Sequence, residues 1–235
     1  MEDVIKFLNT LFPEFQDEYR GKLTINQAAE GIQKVIENAE DLLDDSLILF
    51  KASKFPRAIS LAIMAVEEVS KIEIIKKILL ANGIEGRIWK EFKNHKTKNH
   101  TWYFPVLKKF SVPNNDVKHF IGAKSDWVKR IDDLKNQTLY LNANRKNDGL
   151  DFEWNLPKNL VQKEFCGMFL VAAIEVVKDD RIIWDSDSLE IFTRHWKLID
   201  DEIRCEKPVL FYKELRDLGM ISEERFMKIV SNYNK

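Results

Sequence analysis

Apolar residues recur at helical spacing along most of the chain. Ile25, Ala28, Ile32, Val35, Ala39, Leu42, Ile48 and Leu49 lie on one face of a helix that Thr24 is suited to cap and that reaches about Lys51. The next stretch, Phe55 to Gly83, is apolar on nearly every side, and Pro56 and Gly83 are placed to open and close a helix there. It carries Glu67, Glu68 and Lys71 at its middle. On a 3.6-residue repeat Glu68 falls on the stripe of Leu61, Ala65, Ile72, Ile75 and Leu79, with Glu67 and Lys71 a turn apart beside it. An unpaired charge on so hydrophobic a face costs several kcal/mol, so Glu68 is expected to find a cation, with Lys71 nearest and His95 or Lys98 as alternatives.

A further helix is predicted from Glu85 through Lys98. Pro105 and Pro113 then break the pattern before Val117, Phe120, Ile121, Trp127, Ile131 and Leu134 carry a helix to about Gln137, with the caps for it in Asn114, Asn115 and Asp116. Asn142 to Lys158 reads as a turn-rich connection tacked to the surface by Trp154 and Leu156. Lys158 to Val177 reads as a helix whose apolar middle, Phe165 to Ala173, is buried between others. An amphipathic helix starts at Asp187 or Ser188 and includes Leu189, Phe192, Trp196, Ile199 and Ile203, and two short helices joined at Gly219 follow, with Ser222 as a cap. The fold class is therefore all-α: an N-terminal arm over 1–23, a helical bundle over 24–180, and a C-terminal helical extension over 181–235 packed on that bundle.

Composition agrees with long helices, since 235 residues contain only eight glycines and six prolines, and 45% hydrophobic content can fill a core. No uncharged apolar run is long enough to cross a membrane, and the MEDVIKFLNT start is unlike a secretion signal, so the protein is expected to be soluble and cytoplasmic. Cys166 and Cys205 fit a reducing compartment, with Cys166 a small core residue. Four histidines and two cysteines lie too far apart for a structural zinc site, and no nucleotide-loop, dinucleotide, zincin or serine-hydrolase motif occurs. No metal or other cofactor is expected.

Net charge is −1, but it is unevenly placed. Arg87 to Lys109 holds seven Lys or Arg against the single acid Glu91, interleaved with Trp89, Phe92, Trp102, Tyr103 and Phe104, whereas Val35 to Phe50 holds five acids and no cation. A histidine beside lysines has its neutral form favoured, which suits proton transfer near neutral pH, and His95 and Lys98 lie one helical turn apart. The same basic stretch also reads as a solvated face anchored by its aromatics.

Ala-x-Glu-Glu-x-x-Lys at Ala65 to Lys71, followed by aromatic-x-x-His-Lys-x-Lys at Phe92 to Lys98, resembles the AbiV abortive-infection proteins of the HEPN superfamily. The resemblance spans roughly Ala28 to Asn142, where Leu139-Tyr140-Leu141-Asn142 is similar to a family Leu-Tyr-Val-Asp segment. It implies a HEPN-like helical bundle, a homodimer with a polar cleft near its axis, and a bacterial anti-phage toxin acting on RNA or the translation machinery. Metal-independent RNA cleavage would use His95 as base or acid, Lys71 and Lys98 to hold the phosphate, and Glu68 to orient a lysine. Lys93, Lys96, Trp102, Tyr103 and Tyr140 would bind substrate. Expected partners are RNA or ribosome-associated RNA and a phage or host protein regulator. Well-known HEPN ribonucleases carry Arg and then His after four to six residues; here seven residues separate Arg87 from His95. The alternative is a non-catalytic binding module in which the Glu-Lys-His cluster is a structural or dimer-interface network.

Overall fold

The computed structural model describes residues 18–93, 124–145, 151–178, 183–199 and 202–233. It is mostly helical, in the order α1 (Ile25–Lys51), α2 (Phe55–Leu80), α3 (Glu85–Lys93), α4 (Lys124–Leu139), β1 (Asn142–Arg145), β2 (Phe152–Asn155), a 3-10 turn (Pro157–Asn159), α5 (Lys163–Val177), α6 (Ser186–His195), β3 (Lys197–Ile199), β4 (Glu202–Arg204), α7 (Pro208–Asp217) and α8 (Glu223–Tyr233).

Thr24 caps α1 as its sequence suggests: its hydroxyl accepts from the Gln27 amide, and the Gln27 side chain accepts from the Thr24 amide in return. Three residues then turn the chain back, with Ser53 at a left-handed φ of 58°, and Ser46 donates to the Ala58 carbonyl at 2.6 Å to tie α1 to α2. Ala28, Ile32, Ala39 and Leu43 of α1 share one core with Ile59, Ile63, Val66 and Ile75 of α2. α2 lies at the centre, packed on α1, α3, α4 and α5, which is why it is apolar all round.

Of the C-terminal helices, Leu189, Ile191 and Phe192 of α6, Phe211 and Leu215 of α7, and Phe226 of α8 belong to that same core cluster. The Phe192 ring meets those of Trp184, Trp196 and Phe211 within 6.3 Å. Gly219 takes a φ of 73° between α7 and α8, and the Ser222 hydroxyl accepts from the Arg225 amide at the start of α8.

Three local expectations are corrected. Asn142 to Lys158 is not only a connection: Asn142 pairs with Asn155 and Arg145 with Phe152 in an antiparallel hairpin, and Trp154 and Leu156 stand exposed rather than tacked down. The helix begun at Ser186 stops at His195, because Trp196 turns extended and lays its ring on Phe192; Lys197 to Arg204 then forms a hairpin. Leu198 and Ile203 pair on its more buried face while Lys197, Ile199, Glu202 and Arg204 are exposed, a period of two where a helical period was expected. α5 is not wholly buried either. Cys166, Phe169, Leu170, Ala173 and Val177 enter the core, but Phe165, Met168 and Val171 on its other side stay partly exposed.

Candidate functional site

The middle of α2 carries two neighbouring carboxylates with different surroundings. Glu67 is 3% exposed, and the Lys135 ammonium from α4 meets it at 2.7 Å. Lys135, itself 6% exposed, also faces Asp132 at 3.2 Å. Close by, Ser60 and Thr138 join hydroxyl to hydroxyl at 2.6 Å, and Ser60 donates to the Lys135 carbonyl at 3.3 Å. As α2 advances from Ser60 to Glu67, its partner on α4 recedes from Thr138 to Lys135, so the two helices run antiparallel with a polar seam between them.

Glu68 lies on the less covered edge of α2, in the row Arg57, Leu61, Met64, Glu68 and Lys71. Its carboxylate meets the Lys71 ammonium at 2.5 Å, with both side chains partly exposed. The Lys71 ammonium also sits 4.8 Å from the centre of the Phe92 ring on α3. Lys77 of α2 and Glu91 of α3 add a 3.3 Å ion pair, while Ile88 packs with Ile74, Ile78 and Ala81. The Trp89 indole donates to the Gly21 carbonyl at 2.9 Å, so α3 is pinned at several points.

The carboxylate buried against the core is thus Glu67 rather than Glu68. A helix apolar on all sides has too weak a directional pattern to show which flank its neighbour will cover, and α4 covers the Glu67 flank. Lys71 is the partner of Glu68, as its spacing suggests, while Lys135 was missed because its role depends on a helix 68 residues away in sequence. Lys76 was missed too: it is buried with its ammonium 4.5 Å from the Trp184 ring centre and 5.4 Å from that of Phe192, and it pairs with Glu73.

Of the other residues singled out in the sequence, His95, Lys96, Lys98, Trp102 and Tyr103 lie outside the described residues. Lys93 is the last residue of α3, and its side chain is outside them as well. Tyr140 is described: it follows α4 and is 62% exposed. The acids Glu37, Glu40, Asp41, Asp44 and Asp45 form an exposed face of α1, of which Asp44 meets Lys178 at 3.2 Å. Among the described residues no group of His, Cys, Asp and Glu could hold a metal ion, and no helix is long and apolar enough to cross a membrane.

A lysine ammonium held between a carboxylate and an aromatic face is a positioned cation. It can grip an anionic oxygen that enters from the open edge, with Glu68 limiting its rotation.

The AbiV family model of the HEPN type matches residues 27–178. That match takes in α1 to α5 and both carboxylates. No curated protein and no solved structure matches the chain.

Proposed function

The chain belongs to the AbiV family of HEPN domains, with the abortive-infection role that this membership carries, and from that premise we propose that it is an anti-phage effector that acts on RNA by metal-independent cleavage. The observation that carries this reading is the Glu68–Lys71 pair at the open edge of α2, set against the helix whose chain leads directly to His95.

In this reaction His95 takes the proton of a 2′-hydroxyl, the 2′-oxygen attacks the adjacent phosphorus, and the bond from phosphorus to the 5′-oxygen breaks. The leaving oxygen receives a proton from an acid, leaving a cyclic phosphate on one fragment and a free 5′-hydroxyl on the other. Lys71 and Lys98 neutralise the charge that grows on the phosphate oxygens, and Glu68 positions Lys71. Lys93, Lys96, Trp102, Tyr103 and the exposed Tyr140 hold the strand. The working unit is a homodimer in the cytoplasm, restrained by a phage or host protein regulator until infection.

The test is expression of Glu68→Gln, Lys71→Met and His95→Ala beside wild type, scored for growth arrest and for fragments of total cellular RNA ending in a cyclic phosphate. All three variants are expected to lose both effects while melting within a few degrees of wild type. Full cleavage by His95→Ala would refute its proposed role.

A second reading, a non-catalytic binding module, is favoured by the seven residues between Arg87 and His95 where well-known HEPN ribonucleases have four to six. It predicts growth arrest with intact RNA, and loss of stability rather than of chemistry in the same variants.

A further inference from the structure

A cavity of about 310 Å³ lies between the start of α2 and the 3-10 turn after β2. Lys54, Arg57 and Lys158 line it together with Phe55, Leu156 and Pro157, and no acidic residue among the described ones does. None of the three cations has a carboxylate within 4 Å among the described residues, although the chain as a whole carries 38 acids against 37 bases. Three like charges around one small cavity repel one another, and an entering anion would relieve that repulsion. The 26-residue α2 begins at the same place with no side chain capping it, which adds the partial positive charge of a helix start.

Next to this cavity the hairpin offers something that an ion alone would not need. Phe152, Trp154 and Leu156 alternate along an extended segment and therefore share one face, at a spacing of ~6.6 Å between successive members. Phe152 and Trp154 touch edge to face with ring centres 5.6 Å apart, yet they are 53% and 65% exposed, and Leu156 at the end of the row lines the cavity. Aromatic rings left open beside unpaired cations match the alternation of bases and phosphates in a single strand. Arg57 also begins the less covered row of α2 that continues through Leu61 and Met64 to Glu68 and Lys71; the rise from Arg57 to Glu68 is ~16 Å.

We propose that the Lys54–Arg57–Lys158 cavity holds a backbone phosphate of single-stranded RNA while Phe152 and Trp154 stack on its bases, which places the strand along α2 toward Glu68 and Lys71. This rests on the reading that the protein acts on RNA. Lys54, Arg57 and Lys158 then set affinity for the strand without touching the scissile bond, and the aromatic pair gives a tolerance for any base.

The experiment is fluorescence anisotropy of a labelled short single-stranded RNA bearing 2′-O-methyl groups, which cannot be cleaved by 2′-oxygen attack, titrated with the full chain at several salt concentrations. Lys54→Glu with Lys158→Glu is expected to weaken binding at least tenfold and to flatten the slope of log affinity against log salt by ~0.7 for each phosphate no longer neutralised. Trp154→Ala is expected to weaken it about 5- to 100-fold. All these side chains are at the surface, so melting curves should match wild type. RNA binding that survives these changes but is abolished in Lys71→Met overturns the cavity assignment and leaves the reading of the protein as RNA-acting intact. No binding of the oligomer by wild type overturns both, as does binding of inorganic phosphate alone. Loss of self-association in Trp154→Ala with RNA affinity unchanged marks the hairpin as a protein contact and overturns the proposal.

Discussion

Glu67 and Glu68 are adjacent in sequence and should respond to mutation to different extents. Lys135→Met removes the ammonium 2.7 Å from a carboxylate that is 3% exposed. Breaking a buried pair from one side costs about 3–5 kcal/mol. Glu67→Gln should cost less, about 1–3 kcal/mol, because Asp132 still faces the lysine at 3.2 Å and an amide can still accept from it. Replacing both residues by methionine removes the buried carboxylate together with the ammonium, so the double variant should be more stable than Lys135→Met alone. Glu68→Gln loses only a pair on a partly exposed edge, about 1 kcal/mol or less. Thermal melting followed by far-ultraviolet circular dichroism separates these cases, since a chain of this size shifts by about 2–4 °C per kcal/mol; Lys135→Met should fall by about 6–20 °C and Glu68→Gln by no more than about 4 °C. Urea midpoints at unchanged slope would confirm that stability alone has moved. If Lys135→Met melts with Glu68→Gln, or if the double variant is as unstable as the two single changes added together, the polar seam does not hold α4 to α2 and the division of roles between the two carboxylates is wrong.

Three further outcomes follow from other parts of the molecule. The Glu214 carboxyl is held below the usual carboxylate range, first by its 2.7 Å hydrogen bond with His195 and also by Arg194 beside it. A lowered value means that the pair stabilises the contact of α6 with α7 above the ordinary carboxylate value near 4.5 and that this contribution disappears as pH falls through the lowered one. Wild type should therefore melt above Glu214→Gln at about pH 5, and the gap should close on further acidification; a gap that widens would contradict this. Burial pushes the Cys166 thiol up to about 11, against a smaller opposing effect of the Ile59 backbone, which leaves on the order of a thousandth of it as thiolate at about pH 8. Iodoacetamide followed by peptide mass spectrometry should label the partly exposed Cys205 and reach Cys166 only after denaturation. Gly31 lies inside α1, where an added Cβ would meet Ile75 Cδ1 at an ordinary 3.5 Å, so Gly31→Ala should raise stability by about 0.5–1 kcal/mol, and a lower urea midpoint would show that α1 and α2 pack more tightly than this distance implies.

The sequence by itself determined most of the helices, because helix signals are local: the Thr24 cap with Gln27, the Pro56 start, the left-handed Gly219 and the Ser222 cap each act within four residues. It also determined the family, through motifs at Ala65 to Lys71 and Phe92 to Lys98 that needed no fold to be seen. Where two periods competed it failed, and Lys197 to Arg204 became a hairpin because the Trp196 ring found Phe192 and Phe211. Tertiary structure alone decided which of two adjacent acids would be buried. α2 is apolar on every flank, so its own residues could not say whether α4 would settle over Glu67 or Glu68; that answer required Lys135 to reach Glu67 and Thr138 to reach Ser60 from 68 and 78 positions away in sequence. The cation-lined cavity beside the exposed Phe152 and Trp154 is a product of the same kind, since Lys54, Arg57 and Lys158 are ordinary surface charges until the chain brings residues about a hundred positions apart to one place.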